Sequence, residues 1–133
     1  MEITYKDCKT FTPAQLETLF CSVKWESGKY PERLAQAMRG SSRVLSAWDG
    51  ERLVGLIRSL DDGCTAAFIH YLLVHPDYQK YHIGGTLLCK LLEGYQNYLY
   101  IKIMPSGKAL VPFYEKYGFR IYDNYCAMQI ERL

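Results

Sequence analysis

The chain has 133 residues, 49% of them hydrophobic and 23% charged, which is enough for one sizeable core, too short for two ordinary domains and too apolar for a disordered polymer. Its 16 Lys and Arg against 14 Asp and Glu leave a net charge of +2 with no basic block, so no nucleic-acid footprint is expected. Five cysteines, Cys8, Cys21, Cys64, Cys89 and Cys126, are odd in number without metal-like spacing and are read as reduced, buried thiols of a cytoplasmic protein, with neither an export leader nor a membrane span expected.

Residues 2 to 6 read as a short strand. Pro13 opens a helix whose Leu16, Leu19, Phe20 and Val23 recur at i, i+3, i+4 and i+7. A second short helix starts at Pro31, with Leu34, Ala37 and Met38 facing inward, and Gly40, Ser41 and Ser42 end it. From Arg43 the pattern turns to strands: Val44 to Trp48, a hairpin turn at Asp49-Gly50, Leu53 to Leu60, a second turn at Asp61 to Gly63, and Thr65 to Val74. A helix beginning near Ile83 carries Leu87, Leu88, Leu91, Leu92 and Tyr95 on one face and Lys90, Glu93 and Gln96 on the other. A strand at Leu99 to Ile103 precedes a short helix, with Pro112 in its first turn and Gly118 at its C-terminal cap. Phe119 to Tyr122 and Tyr125 to Ile130 read as a closing hairpin. The count gives a single α/β domain over residues 1–133, with a mixed, mostly antiparallel sheet of six to seven strands flanked by about four helices.

The run from Val74 to Leu92 joins a strand, a polar loop and an amphipathic helix through Gly84 and Gly85. Helix starts present unpaired N–H groups, and the turn ahead of one can aim more at a single anion. A plain strand-to-helix turn would use two glycines as well, and both GxGxxG and GxxxxGK[ST] are absent.

Gln79-Lys80-Tyr81-His82-Ile83-Gly84 resembles the Q/R-x-x-G-x-G/A signature of the GNAT superfamily of N-acetyltransferases. Phe113-Tyr114-Glu115-Lys116-Tyr117-Gly118-Phe119 is similar to that family's FYEKxGF segment, and the two lie in the family's order. The resemblance covers roughly Leu16 to Tyr122, including Cys21 to Trp25 and Leu53-Val54-Gly55, and points to a subgroup of small bacterial and plant aralkylamine N-acetyltransferases. It implies a GNAT-like acyl-CoA N-acyltransferase fold with splayed central strands and acetyl-CoA as donor. The pyrophosphate would lie on Gln79, Lys80, Tyr81, His82, Ile83, Gly84, Gly85 and Thr86. The pantetheine arm would run along Leu72, Leu73 and Val74, where the family's strand bulges, with the Val74 N–H facing the thioester oxygen. One departure is His82, which stands where the family pattern has Gly. A side chain there costs close backbone approach and freedom of dihedral.

Transfer to an amine needs a neutral nucleophile, and an alkyl ammonium with a pKa near ~10 is only about 0.1% neutral at pH 7. Tyr114 matches the tyrosine that the resemblance makes the general acid toward the coenzyme A thiolate. His70 and Tyr71 stand where the family places its acidic base, and His70, Tyr71 or ordered water would take the proton. Trp25 and Tyr30 lie in a connection that overhangs the acceptor site in such proteins, and with His70 and Tyr71 they are the candidate substrate contacts. Lys108 and Lys80 are candidate phosphate contacts. Asp61, Asp62 and His75 sit in separate turns, and no metal is expected.

Three functions remain at this point: acetylation of a small-molecule primary amine, acetylation of a protein N-terminus or lysine, and a non-catalytic acyl-CoA sensor. No long insertion encloses an acceptor, so a homodimer would complete the pocket.

Overall fold

The structure, a computed structural model, describes residues 2–133. Five strands lie side by side in chain order: β1 (Ile3–Asp7), β2 (Arg43–Asp49), β3 (Arg52–Asp61), β4 (Ala66–Val74) and β5 (Tyr100–Ile103). Neighbours are antiparallel except β4 and β5, which are parallel. The four α-helices are α1 (Pro13–Ser22), α2 (Pro31–Arg39), α3 (Ile83–Glu93) and α4 (Val111–Glu115).

Local chemistry sets these boundaries. Thr12 and Gln15 form a reciprocal capping box ahead of α1, with Pro13 in the first turn. Gly50 takes a positive φ in the β2–β3 turn, and the Asp62 carboxylate accepts the N–H groups of Cys64, Thr65 and Ala66 to close the β3–β4 turn.

Each sheet face has its own core. On one side α3 lays Ile83, Leu87, Leu88 and Leu91 over Leu45, Val54, Ile57, Ala67 and Ile69, with Tyr95 and Tyr114 in the same cluster. On the other, α1 and α2 lay Leu16, Leu19, Phe20, Leu34 and Met38 over Val44, Trp48, Leu56 and Leu73. At about 1.5–3 kcal/mol for each large apolar side chain fully buried, these layers are the main stabilising term.

The closing hairpin is not formed. Residues 119–133 hold no strand, only a turn in which the Tyr125 N–H bonds the Tyr122 carbonyl. The sheet therefore has five strands, not six or seven. Ile121, Met128 and Ile130 stay exposed, and a two-stranded ribbon that buries no face gains too little to persist in water. Two smaller corrections concern burial. Ala35, not Ala37, faces inward on α2. Cys21, Cys64, Cys89 and Cys126 are exposed and only Cys8 is half-buried, because the first and third lie on outer helix faces and the others in a turn and the tail.

Candidate active site

Strands β4 and β5 pair only from Ala66 to Ile69 and from Tyr100 to Ile103. β4 then runs on from His70 to Val74 without β5 beside it, so the two strands part as expected. The bulge that accompanies this lies one residue ahead of the predicted Leu72–Val74 segment. Ile57 faces Leu72 while Arg58 faces His70, which leaves Tyr71 as the extra residue, at φ 68°. An aromatic residue in the left-handed region is strained by about 1–3 kcal/mol.

The His75 N–H bonds the Val54 carbonyl at 2.8 Å. Antiparallel alternation then turns the N–H groups of Val74 and Leu72 away from β3, toward the gap, and spends those of Leu73 on β3. The Val74 carbonyl accepts from Gln79 Nε2 at 3.2 Å, so its N–H is the group left free at the strand end.

Beyond Val74, a 3-10 segment, Pro76–Tyr81, leads into α3. His82, between them, has φ 56° and ψ 26°, the left-handed conformation for which the family's glycine is suited. Histidine is among the residues enriched there, so the loop keeps its shape without glycine. Unlike α1, α3 has no side-chain cap, and its first turn holds no acid. The Thr86 N–H and hydroxyl both bond the His82 carbonyl, and helix geometry leaves the N–H groups of Ile83, Gly84 and Gly85 without intrahelical acceptors. Gly55 on β3 lets this helix start lie close: a Cβ there would stand 2.9 Å from Ile83 Cγ2 and 3.3 Å from the Leu87 and Ala47 side chains. Lys80 and Tyr81 are exposed on the loop, and Lys108 is exposed in a 3-10 turn, Lys108–Leu110.

Helix α4 packs beside the start of α3. A Cβ on Gly84 would touch Phe113 and Val74, and one on Gly85 would run into the Tyr117 hydroxyl. Tyr114 is buried, edge-on to Phe113 and Phe119. Burial pushes its phenol up to about 12, so the hydroxyl keeps its proton at neutral pH and can donate it.

On the opposite side of the bulge lies a cavity of about 690 Å³, lined by Tyr30, Arg33, Arg58 and Tyr71 among others. The Tyr71 ring stacks on His70 with centroids 3.9 Å apart and meets Phe20 edge-on at 5.0 Å, and its hydroxyl is 3.2 Å from Ser27 Oγ. Trp25 stands behind it, 6.0 Å from both the Tyr71 and the Phe20 rings. Of the four candidate acceptor contacts, the structure thus brings Tyr30 and Tyr71 to the cavity wall and sets Trp25 and His70 behind them.

His70 Nδ1 accepts from Arg58 Nη2 at 2.6 Å. Arginine only donates, so the imidazole proton sits on Nε2 and no ring lone pair is left. Burial, and after it the Arg58 charge, holds its pKa down at about 4. That geometry opposes the expected role of His70 as base.

Arg58 is the residue that sequence reasoning missed. Its signal was a lone charge inside the apolar run Leu53 to Leu60, where a strand buried on both faces has no reason to carry one. Among the described residues, no group of three or more His, Cys, Asp or Glu is arranged to hold a metal, and no helix is long and apolar enough to cross a membrane.

The comparisons with known proteins bear on this arrangement. A family model described as an acetyltransferase (GNAT) domain matches residues 8–129. Serotonin N-acetyltransferase of Mesocricetus auratus is 37% identical over 91 residues, 66% of this chain, and the match spans 44% of that protein's length. A GNAT family acetyltransferase from Streptococcus pneumoniae TIGR4 superposes with a TM-score of 0.81 at 28% identity, covering 99% of this chain and 98% of that one. A probable acetyltransferase from Staphylococcus aureus superposes at 0.89 with 18% identity, over 98% and 100% of the two chains, a likeness of fold. The matched span takes in the parted strands, the uncapped helix start and Tyr114 together, and the chain belongs to the GNAT family of acetyltransferases.

Proposed function

We propose that this chain, as one domain over residues 1–133, transfers acetyl from acetyl-CoA to the primary amine of a small molecule by direct attack within a ternary complex. The observation that carries this reading is the meeting, at one end of the sheet, of the β4–β5 gap, the uncapped start of α3 and the buried phenol of Tyr114. The groups present fit the donor: unpaired N–H groups of Ile83, Gly84 and Gly85 suit a pyrophosphate, and a strand edge suits an arm that hydrogen-bonds as a strand does. When bound, acetyl-CoA supplies the thioester carbonyl and a thiolate leaving group.

The chain's own residues then have separable tasks. The Val74 N–H, facing the gap, meets negative charge developing on the carbonyl oxygen. Tyr114 gives its hydroxyl proton to the departing sulfur. Gln79 ties the loop to the end of β4, and His82 holds the left-handed corner that aims the helix start. With the His70 lone pair engaged, the amine loses its proton to water. The Tyr71 and Ser27 hydroxyls are placed to relay it, and the cavity's arginines lower the pKa of an ammonium beside them. Lys80 and Lys108 serve at most as mobile counter-charges to phosphate.

Five free thiols support a reducing, cytoplasmic setting. The open edge of β5 and the exposed apolar side chains of residues 121–130 support a homodimer in which that tail covers a neighbour's edge. Light scattering of the purified chain tests this: a monomer at micromolar concentration would remove the dimer from the proposal.

The test of the activity is thiol release from acetyl-CoA in the presence of aromatic amines, polyamines, amino sugars and peptides. Amine-dependent release with at least one small amine is the expected result. Release with peptides alone would transfer the activity to protein acceptors, and tight acetyl-CoA binding without release would leave a sensor.

A further inference from the structure

The cavity beside Tyr71 carries an uncompensated charge. Its wall includes three guanidinium groups, from Arg33, Arg58 and Arg132, and no Asp or Glu side chain. Arg33 and Arg132 are exposed, but Arg58 is 8% exposed, and a buried cation is ordinarily kept with a carboxylate beside it. Here its surroundings are neutral. Nη2 donates to His70 Nδ1, Nη1 donates to Ser41 Oγ at 3.3 Å, and the Tyr71 ring lies under the guanidinium at 4.7 Å. Nε has no hydrogen-bond partner. Among the described residues no carboxylate lies within salt-bridge distance of Arg58.

Removing one partner of a buried ion pair is strongly destabilising because the other charge is stranded, and Arg58 stands without such a partner. Burial also weakens its hold on its proton. Leu133 also lines the cavity, but no carboxylate of the described residues, side-chain or terminal, pairs with Arg58, so its position leaves room for a carboxylate supplied by a bound molecule.

Taking the acceptor side of the proposed transferase as the frame, we propose that this cavity selects amines that also bear a carboxylate, which pairs with Arg58. Carboxylate fits better than phosphate because only one guanidinium is buried, and the second N–H groups of its Nη1 and Nη2, which make one hydrogen bond each, lie in one plane, as carboxylate oxygens do. Tyr30 and Tyr71 flank the same space and suit an apolar or aromatic body between the two charged ends. The amine end then faces the bulge. The inference narrows the acceptor from any primary amine to amino acids and amino-acid-like molecules.

Calorimetric titration of the whole chain with 3-phenylpropionate, its amide, and phenyl phosphate tests the site without reliance on activity, and thiol release with phenylalanine and phenethylamine tests it in the reaction. The expected results are carboxylate binding at least ~10-fold tighter than amide, and a matching preference for phenylalanine in thiol release. In Arg58→Met the preference falls to about one, and Arg58→Lys retains part of it. Equal binding of acid and amide by the unsubstituted chain overturns the inference, even if thiol release with phenethylamine upholds the transferase. Tighter binding of phenyl phosphate overturns the carboxylate assignment. A carboxylate preference without thiol release from any amine upholds the anion site and sinks the transferase. Arg58→Met is also expected to melt above the unsubstituted chain; melting well below it would mean that the charge is structural and would count against the site.

Discussion

The two halves of the proposed site, which meet at Tyr71, are built from different material. The donor half is main chain: N–H groups of Leu72, Val74, Ile83, Gly84 and Gly85, aimed by a strand that loses its neighbour and a helix that lacks a cap. The acceptor half is side chains: Arg58, His70 and Tyr71 locked into one stack, with Tyr30 and Arg33 across the cavity. Substitution by anything but proline leaves main-chain N–H groups in place, so the first half tolerates residues such as His82 if the dihedrals survive. The second half changes with every substitution, and specificity belongs there.

Substitutions can break this division, beginning with the largest effect. Tyr114 is the one side chain on which the donor half depends chemically. Tyr114→Phe is expected to lower the maximal rate of thiol release by ~100-fold or more, with acetyl-CoA affinity nearly unchanged. An unaltered maximal rate, with chemistry limiting, would remove Tyr114 as the acid. Next comes Gly55→Ala, whose methyl meets Ile83, Leu87 and Ala47. It is expected to destabilise by about 1–3 kcal/mol and to weaken acetyl-CoA binding by displacing the start of α3. Urea unfolding and calorimetry read the two effects separately.

A stability profile against pH examines the acceptor stack. His70 titrates at about 4 in the folded chain and near ~6.5 when unfolded, so the unfolded state binds more protons between these values. Stability is full above pH 6.5 and is lost as pH falls toward 4, by about 1–2 kcal/mol once partial exposure is allowed for. His70→Gln is expected to flatten that part of the melting curve.

Tyr71→Phe keeps the stack and loses only the hydroxyl that meets Ser27. A several-fold rise in KM for the amine, with donor binding unchanged, is expected from the loss of about 1 kcal/mol. A larger effect on acetyl-CoA than on amine would mean that the halves are not separate. The smallest effect belongs to His82→Gly, where strain relief and greater unfolded-state freedom nearly offset each other. Stability should move by less than about 1 kcal/mol, and acetyl-CoA affinity by less than twofold.

The same division explains what the sequence disclosed. The signatures at Gln79 to Gly84 and Phe113 to Phe119 mark places where main chain is bent, and they led to the family and the fold. Alternating apolar residues and turn chemistry at Asp49-Gly50 and Asp61 to Gly63 led to the hairpins, and the register followed. The pattern around Ile69 to Val74 left the Tyr71 bulge unassigned, because one extra residue changes no composition and shows only when both strands are paired. Arg58 was passed over because a charge in a strand reads as an outward position until the covering helix α2 is known. Phe119 to Ile130 has strand-like residues but forms no hairpin, because alternation alone does not supply a face for the ribbon to bury.

An initial-rate matrix of thiol release, with acetyl-CoA and an accepted amine both varied, tests direct transfer between the two halves. Lines that intersect in the double-reciprocal plot are the expected result, since both substrates must be present together across Tyr71. Parallel lines, or thiol release independent of amine, would contradict a ternary complex and with it the division of the site into a donor half and an acceptor half.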